Sequence, residues 1–216
     1  SASYLITPKF AFNFSMGRFS QLPPYTVLGY RNGNEELVNK DNGVTYIHNN
    51  HIVAGFEYKP NIYAKISLEG FYKVYQDYPF LLADSVSLAN LGGDFGVIGN
   101  EPASSISNGR SYGIEVLGQQ RLSDKIYGIF SYTFVKSEFT DKNGAYVPSS
   151  WDNGHILNLT VGRKFANNWE IGAKFRLQGG APYTPFDIAT SSLKEVWDVT
   201  GQGIPDYDRL NTERLP

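Results

Sequence analysis

The chain lacks cysteine and any long apolar run. With no cysteine among 216 residues, it can form neither disulfides nor thiolate metal sites. No run approaches the roughly 18 consecutive apolar residues of a transmembrane helix, so a helical span is excluded. Lysine and arginine (19) nearly balance aspartate and glutamate (21), which gives no basic stripe for nucleic acid. The 15% aromatic content is compatible with an all-β protein.

What the sequence does contain is the two-residue alternation of apolar and polar side chains that is typical of β-strands. This alternation switches on and off about seven times along the chain. The predicted strands are a first stretch at Phe10–Met16 and three hairpins, namely Asn50–Lys59 with Ile62–Tyr75, Gly109–Arg121 with Lys125–Phe139, and His155–Lys164 with Trp169–Gln178.

The predicted connections alternate between short and long. Each hairpin closes within a few residues, as at Lys59–Asn61. Short periplasmic turns and long extracellular loops are the plan of an up-and-down transmembrane β-barrel. The long, polar connections are Gly17–Asn49, Gln76–Asn108, Thr140–Gly154 and everything after Gly179.

Strand length distinguishes a membrane barrel from a soluble sheet, since both can have one apolar face. The segment Ile62–Tyr75 has an apolar face that includes Ile66 and Leu68 and a polar face that includes Lys65 and Glu69. At about 3.3 Å per residue such a strand is roughly 45 Å long, and tilted it still crosses an apolar band of about 25 Å. The predicted fold class is therefore all-β, made of antiparallel transmembrane barrel strands.

The strand count predicts a partial barrel. Bacterial single-chain barrels have even numbers of strands, and lipid does not tolerate an unpaired strand edge. About seven strands therefore indicate that residues 1–216 are one partial barrel domain of a longer protein.

Several sequence stretches, taken in order, resemble a known family. They are similar to successive barrel strands of TonB-dependent outer-membrane receptors, and their order is the usual one in that family. The stretches are Gly17–Pro24, His51–Tyr58, Leu68–Tyr75, Gly109–Val116, Ser131–Phe134, Trp151–Leu159, Gly179–Pro185 and Arg214–Pro216.

The resemblance implies a barrel of about 22 strands with a plugged lumen. In that family a periplasmic TonB-type coupling protein pulls on the plug to admit a scarce nutrient. The implied partners are outer-membrane lipid, the plug domain of the same receptor, the coupling protein and the nutrient, which could be an iron chelate, a glycan, a cofactor or a peptide. The plug and the last strands are missing from this chain. The expected location is the bacterial outer membrane.

Two other functions fit the same pattern. A different outer-membrane barrel, such as a porin or an adhesin, would show the same strands and loops, and a soluble ligand-binding β-barrel would share the alternation. No serine stands out as a nucleophile, so we predict no enzymatic activity, no catalytic residue and no cofactor.

Two groups of residues are candidates for contact with a ligand or a plug. Charged side chains on the inner face of a barrel either solvate a channel or form salt bridges with a plug, and we favour the plug. Aromatic residues in the long loops suit ligand capture, although packing among the loops explains them equally well. The inward charges are Lys65, Glu69, Lys73, Glu115, Lys174 and Arg176, and the aromatics at the loop tips are Tyr75, Tyr78, Phe80 and Phe95.

The three histidines give weaker signals. His48 and His51 lie three residues apart at a junction of loop and strand, but the helical context of a zinc site is missing, so we predict no metal site. His155 follows Asp152 at the start of a strand. For these two residues we expect hydrogen bonding at the base of the loop.

Overall fold

The computed structural model describes residues 1–91, 99–123 and 125–216. Four helices of four to seven residues lie between the strands: α1 Tyr25–Leu28, α2 Val38–Asp41, α3 Ile188–Ser191 and α4 Lys194–Thr200. No helix in these ranges is long and apolar enough to cross a membrane. The strands are β1 Ala2–Thr7, β2 Phe10–Gln21, β3 Ile47–Tyr58, β4 Ala64–Leu81, β5 Val86–Ser87, β6 Ala103–Ser123, β7 Ile126–Thr140, β8 Tyr146–Pro148, β9 Gly154–Lys164, β10 Glu170–Gln178, β11 Pro182–Tyr183 and β12 Glu213–Arg214.

Eight of these strands form one antiparallel, up-and-down sheet in the order β1-β2-β3-β4-β6-β7-β9-β10. The short strand β5 pairs with β4, β8 pairs with β7, and β11 with β12 forms a separate two-stranded sheet. The predicted antiparallel fold class is confirmed.

The structure has one more long strand than the sequence predicted. The additional strand is β1, which a short turn at Pro8 and Lys9 joins to β2. Tyr4 of β1 pairs with Phe12 of β2. The alternation did not reveal β1 because the strand is only six residues long and has three consecutive apolar residues, Tyr4, Leu5 and Ile6. An apolar run of this kind has no period of two.

The long strands also extend beyond their predicted ends on the extracellular side. β4 continues to Leu81, β6 begins at Ala103, and β2 continues to Gln21, although these residues were predicted to lie in loops. Above the lipid neither face of a strand has to be apolar, so the alternation that marks a transmembrane strand disappears there while the backbone pairing continues.

The register places the apolar side chains of all eight strands on one face. Leu68 is 47% exposed and Phe175 is 55% exposed, so this face has no protein covering it in the described residues. A sheet face of this kind belongs in lipid. One continuous row across the sheet consists of Tyr4, Phe12, Phe56, Leu68, Val116, Tyr132, Leu157 and Leu177.

The buried apolar cluster lies among the extracellular connections rather than within the sheet. Val27 and Leu81 are fully buried and pack with Leu88 and Ala103. A single-layer sheet has no second layer against which to pack, so its apolar burial must come from lipid on one side. The long connections at that end of the sheet instead form a compact unit, which we call the cap.

Two asparagine side chains hold the cap together. The Asn39 amide nitrogen donates to the carbonyls of Val27 and Glu101 at 2.8 and 3.0 Å, and its oxygen accepts from the Ala103 N–H at 2.7 Å. The Asn211 amide nitrogen donates to the carbonyls of Asn90 and Pro148 in the same way. Irregular loops satisfy their buried backbone groups through such side chains.

The segment after β10 is joined to the cap at its surface. The Tyr207 hydroxyl donates to the Asp84 carboxylate at 3.2 Å, and Lys142 contacts Asp208 at 2.6 Å. Burial, together with the Asp84 carboxylate, raises the pKa of Tyr207 to about 12. The hydroxyl therefore remains a hydrogen-bond donor even at alkaline pH, where an ordinary tyrosine begins to ionise.

The two faces of the sheet predict different mutational costs. In the intact barrel, Leu68→Arg or Phe175→Arg should make folding into lipid less favourable by about 2–4 kcal/mol, because a cation enters the apolar band. Lys73→Ala, on the other face of β4, is the matched control and should cost much less. Folding titrations in lipid vesicles measure both, and equal costs would contradict the assignment of the faces.

The cap should depend on Asn39. Asn39→Ala leaves the buried Val27 carbonyl and Ala103 N–H and the partly buried Glu101 carbonyl without this partner, and each unpaired buried group costs about 1–3 kcal/mol. We expect faster proteolysis of the extracellular loops in the variant, with the heat-modifiable gel mobility of the barrel unchanged. Asn143→Ala, in an exposed turn, is the control, and equal protease resistance in both variants would count against this role for Asn39.

Candidate functional site

The face opposite the apolar rows carries the predicted inward charges. The register puts Lys65, Glu69 and Lys73 of β4 on this face together with Glu115 of β6 and the charges of β10. Which of these residues contact a ligand or a plug stays a prediction. The predicted members of the face are Lys65, Glu69, Lys73, Glu115, Lys174 and Arg176.

The inward charges lie at three heights along the strands. Nearest the periplasmic turns, Lys65 forms an ion pair of 2.6 Å with Glu57. In the middle of the wall, Glu69 and Glu115 stand directly opposite each other on neighbouring strands. Nearer the extracellular end, Lys73 is paired in register with His51. Like charges directly opposite each other are unfavourable, so the Glu69–Glu115 pair is suited to a cationic partner from outside these strands.

An aromatic cavity of about 220 Å³ lies where the inward face meets the cap. Phe19, Tyr75 and Phe139 belong to one inward row of the sheet, and Trp151 reaches the cavity from the loop between β8 and β9. We call it the mouth cavity. Its lining is Phe19, Ser20, Gln21, Ile47, Asn49, Tyr75, Tyr78, Ser137, Phe139 and Trp151.

A β-bulge brings Tyr78 into this cavity. Residues three apart on a regular strand point to opposite faces, so Tyr75 and Tyr78 should not lie together. The register between β4 and β6 shifts between these two tyrosines, and Asp77 adopts a left-handed conformation with φ of 58°. The rings of Tyr75 and Tyr78 then pack on Phe139 with centroid distances of 5.3 and 4.7 Å.

A glycine makes room for the central ring of the cluster. A Cβ atom at Gly109 would lie 2.3 Å from a ring carbon of Phe139, which is closer than side chains approach. The Phe139 ring therefore lies across Gly109 on the neighbouring strand, and it is only 2% exposed. Covering a strand glycine with a cross-strand aromatic ring also stabilises the sheet at that point.

The four predicted loop-tip aromatics have different surroundings. Tyr75 and Tyr78 line the mouth cavity. Phe80 is 8% exposed and lies in β4 beside Ser87 of β5, so most of its ring is packed. Phe95 lies outside the described residues. A role for any of them in ligand capture stays a prediction.

Sequence analysis missed eight residues of the mouth cavity, among them Phe19, Asn49, Phe139 and Trp151. Phe19 and Asn49 were assigned to a loop, although the strands continue through both of them. Tyr75 lies opposite Gly109, and Gly109 lies opposite Phe139 on the next strand. Phe139 could therefore be assigned to the same row as Tyr75 only once the register between β6 and β7 was known. Trp151 enters from a loop, which no strand pattern predicts.

The structure separates His48 and His51. Both lie in β3, and their odd spacing puts them on opposite faces. His48 hydrogen-bonds with the Ser20 hydroxyl at 2.9 Å and lies 4.0 Å from Asp77, whereas the His51 ring packs against Phe19 at 4.5 Å. Among the described residues, no three histidine, aspartate or glutamate side chains are grouped to hold a metal ion.

His155 and Asp152 both hydrogen-bond at the base of their loop, each to a different partner. His155 bonds with the Tyr132 hydroxyl at 2.8 Å. Asp152, which is fully buried, accepts from Arg214 at 2.9 Å and so links the loop before β9 to β12.

Comparison with solved structures identifies the fold. The ferripyoverdine receptor FpvA of Pseudomonas aeruginosa, in complex with a heterologous pyoverdine and iron, superposes with a TM-score of 0.60 at 16% identity, over 86% of this chain and 23% of that one. The ferric-catecholate import receptor Fiu of Escherichia coli gives 0.59 at 14% identity, over 84% and 24%. The iron transporter FrpB of Neisseria meningitidis gives 0.58 at 14%, over 84% and 26%.

These neighbours are TonB-dependent outer-membrane receptors. The chain has the fold of their barrel wall, as the resemblance in its sequence implied. It spans about a quarter of the length of the three solved structures. An outer-membrane location, which the sequence predicted, is that of all three neighbours. Neither a family model nor a curated protein matches the sequence.

The left-handed backbone conformation of Asp77 in the bulge predicts that substitutions there change stability according to how well each residue tolerates that conformation. A left-handed conformation costs an ordinary residue about 1–2 kcal/mol, whereas glycine adopts it freely and asparagine tolerates it. Asp77→Val should therefore destabilise the folded barrel by about this amount, and Asp77→Gly and Asp77→Asn should stay close to the wild type. Urea unfolding of the intact barrel in vesicles measures the difference, and equal stability of the valine and glycine variants would argue against the bulge.

Proposed function

We propose that residues 1–216 form part of the barrel wall of a larger outer-membrane receptor that imports a scarce nutrient. The rest of the barrel and the plug are supplied by the remainder of that receptor. The nutrient is an iron chelate, a glycan, a cofactor or a peptide, and the role is transport rather than catalysis. The observation that carries the proposal is the mouth cavity, which lies between the cap and an inward face with fixed charges.

The mouth cavity is suited to first contact with a nutrient. Phe19 and Trp151 are each 54% exposed, so both offer ring surface to a ligand, while Asn49 and Ser137 add polar groups beside them. Apolar walls with a few polar groups are typical of small-molecule sites. Solved neighbours with this fold are receptors for ferripyoverdine and ferric catecholate, which supports uptake of a scarce nutrient.

The inward face is suited to a plug. Lys73 and the Glu69–Glu115 pair project inward at successive heights of the wall. A plug that carries complementary charges would neutralise them and be held in place without covalent bonds. Movement of such a plug by a TonB-type coupling protein would then open a transport path through the barrel, which begins at the mouth cavity.

Deletion of the cap loops tests this function. We expect that replacing residues 83–101 or residues 141–153 of the intact receptor with a short Gly-Ser turn abolishes uptake, because the changes remove the cap and, in the second case, Trp151. Assembly should persist, since loops tolerate deletion better than strands. Growth on the cognate nutrient measures uptake, and heat-modifiable gel mobility measures assembly.

A matched control keeps the test specific. Replacing residues 194–200, the exposed helix α4, removes loop mass without touching the mouth cavity and should leave uptake intact. If uptake survives both cap deletions, the two loops are structural cover, and recognition lies in the plug or in other strands of the receptor.

A further inference from the structure

The outward face changes character above its apolar band. Tyr72 and Tyr112 stand side by side on this face, with ring centroids 6.1 Å apart. Aromatic residues of this kind mark the boundary between hydrocarbon and headgroups. In the next outward row towards the extracellular end, Arg110 pairs in register with Glu138. Lys136 pairs in register with Tyr112, so charge begins in the tyrosine row itself and continues in the row above it, at the height where outer-leaflet headgroups would lie.

An ion network of five side chains occupies this level. Arg110 contacts the Glu138 carboxylate at 2.8 Å, and the Lys136 ammonium lies 3.7 Å from the same carboxylate. Lys136 also lies 3.9 Å from Asp152, which Arg214 contacts at 2.9 Å. We call these five residues the outward network. Three cations and two carboxylates leave it with one net positive charge.

The cations of the outward network are exposed and its carboxylates are covered. The side chains of Arg110, Lys136 and Arg214 are 36%, 39% and 42% exposed, against 12% for Glu138 and 1% for Asp152. A group that approaches from the lipid side therefore meets cations first. The covered carboxylates orient these cations from behind.

The geometry of the cations suits a phosphate group. The Arg110 guanidinium lies over the Tyr146 ring at 4.3 Å, so its plane is held by stacking as well as by Glu138. Lys136 lies too far from either carboxylate for a hydrogen bond, and among the described residues its ammonium has no hydrogen-bond partner, so its donors can reach a ligand. A cavity of about 290 Å³ opens beside it, lined by Lys136, His155 and Arg214 among others.

We propose that the outward network binds the phosphate of a phosphorylated glycolipid in the outer leaflet. The partner is chosen by charge complementarity and by position: exposed cations lie at the upper edge of an apolar face that no described residue covers, and arginine and lysine are preferred phosphate ligands. Acyl chains of the same lipid would lie along the apolar rows below Tyr72 and Tyr112. The site depends on the membrane orientation of the barrel and is independent of the nutrient.

A purely structural role is the competing explanation. The Asp152–Arg214 contact ties a loop to β12, and Arg110 with Glu138 links β6 to β7, whether or not lipid is present. Lys136 separates the two explanations, because its contacts of 3.7 and 3.9 Å contribute little to the fold while its charge is central to the cationic surface.

Native mass spectrometry of the intact receptor in detergent, with added diphosphorylated lipid A, tests the proposal. Lys136→Gln should weaken lipid binding about fivefold, as expected for the loss of one cation near a membrane surface. Lys136→Arg keeps the charge and should bind like the wild type. Arg163→Gln is the matched control, since Arg163 is an outward arginine packed on Phe165 at the periplasmic end of the same face.

Two further arms identify the ligand group and guard against misfolding. Dephosphorylated lipid A should bind weakly and equally to all variants, and inorganic phosphate at the same concentration should not displace lipid A. Equal binding to the wild type and Lys136→Gln, equal binding of both forms of lipid A, or full competition by inorganic phosphate would each overturn the proposal. Heat-modifiable mobility confirms that each variant is folded, and Lys136→Ala replaces Lys136→Gln if it is not.

Discussion

Every other feature of this structure depends on backbone hydrogen bonding between the strands of a single sheet. Lipid offers no partner to an N–H or a carbonyl, so each transmembrane strand must pair with its neighbours along its length. Pairing fixes the register, and a slip of one residue would move every apolar side chain to the wet face. The apolar row that runs from Tyr4 through Leu68 to Leu177 is the visible result.

The same constraint moves the packed core out of the sheet. The sheet is a single layer with no second layer packed against it in the described residues, so the buried apolar residues, among them Val27 and Leu81, collect in the cap. The cap has an irregular backbone. The side-chain amides of Asn39 and Asn211 hydrogen-bond its backbone carbonyls, as neighbouring strands do in the wall. The mouth cavity lies where these two kinds of structure meet, which combines the rigidity of the wall with the chemical variety of loops.

Period-two alternation predicted the face of the residues on regular strands, but it could not place the residues beyond a bulge or on the strand extensions. Lys65, Glu69 and Glu115 lie on regular stretches of strand, and their common face follows from counting residues. Tyr78 lies beyond a bulge, where the count shifts by one, and Asp77 carries no obvious sequence signal for it, since aspartate is common in ordinary loops. Phe19 and Asn49 lie on strand extensions above the lipid, where alternation no longer operates.

The sequence by itself determined the fold class, the direction of the short and long connections and the face of each residue within a regular strand, because these depend on neighbours two residues apart in the chain. Only the tertiary structure decided that Phe139 lies across Gly109 and that the carboxylates of Glu138 and Asp152 are covered while their cations are exposed. These contacts join residues on different strands and loops, and the register and bulges that bring them together arise from pairing between distant segments.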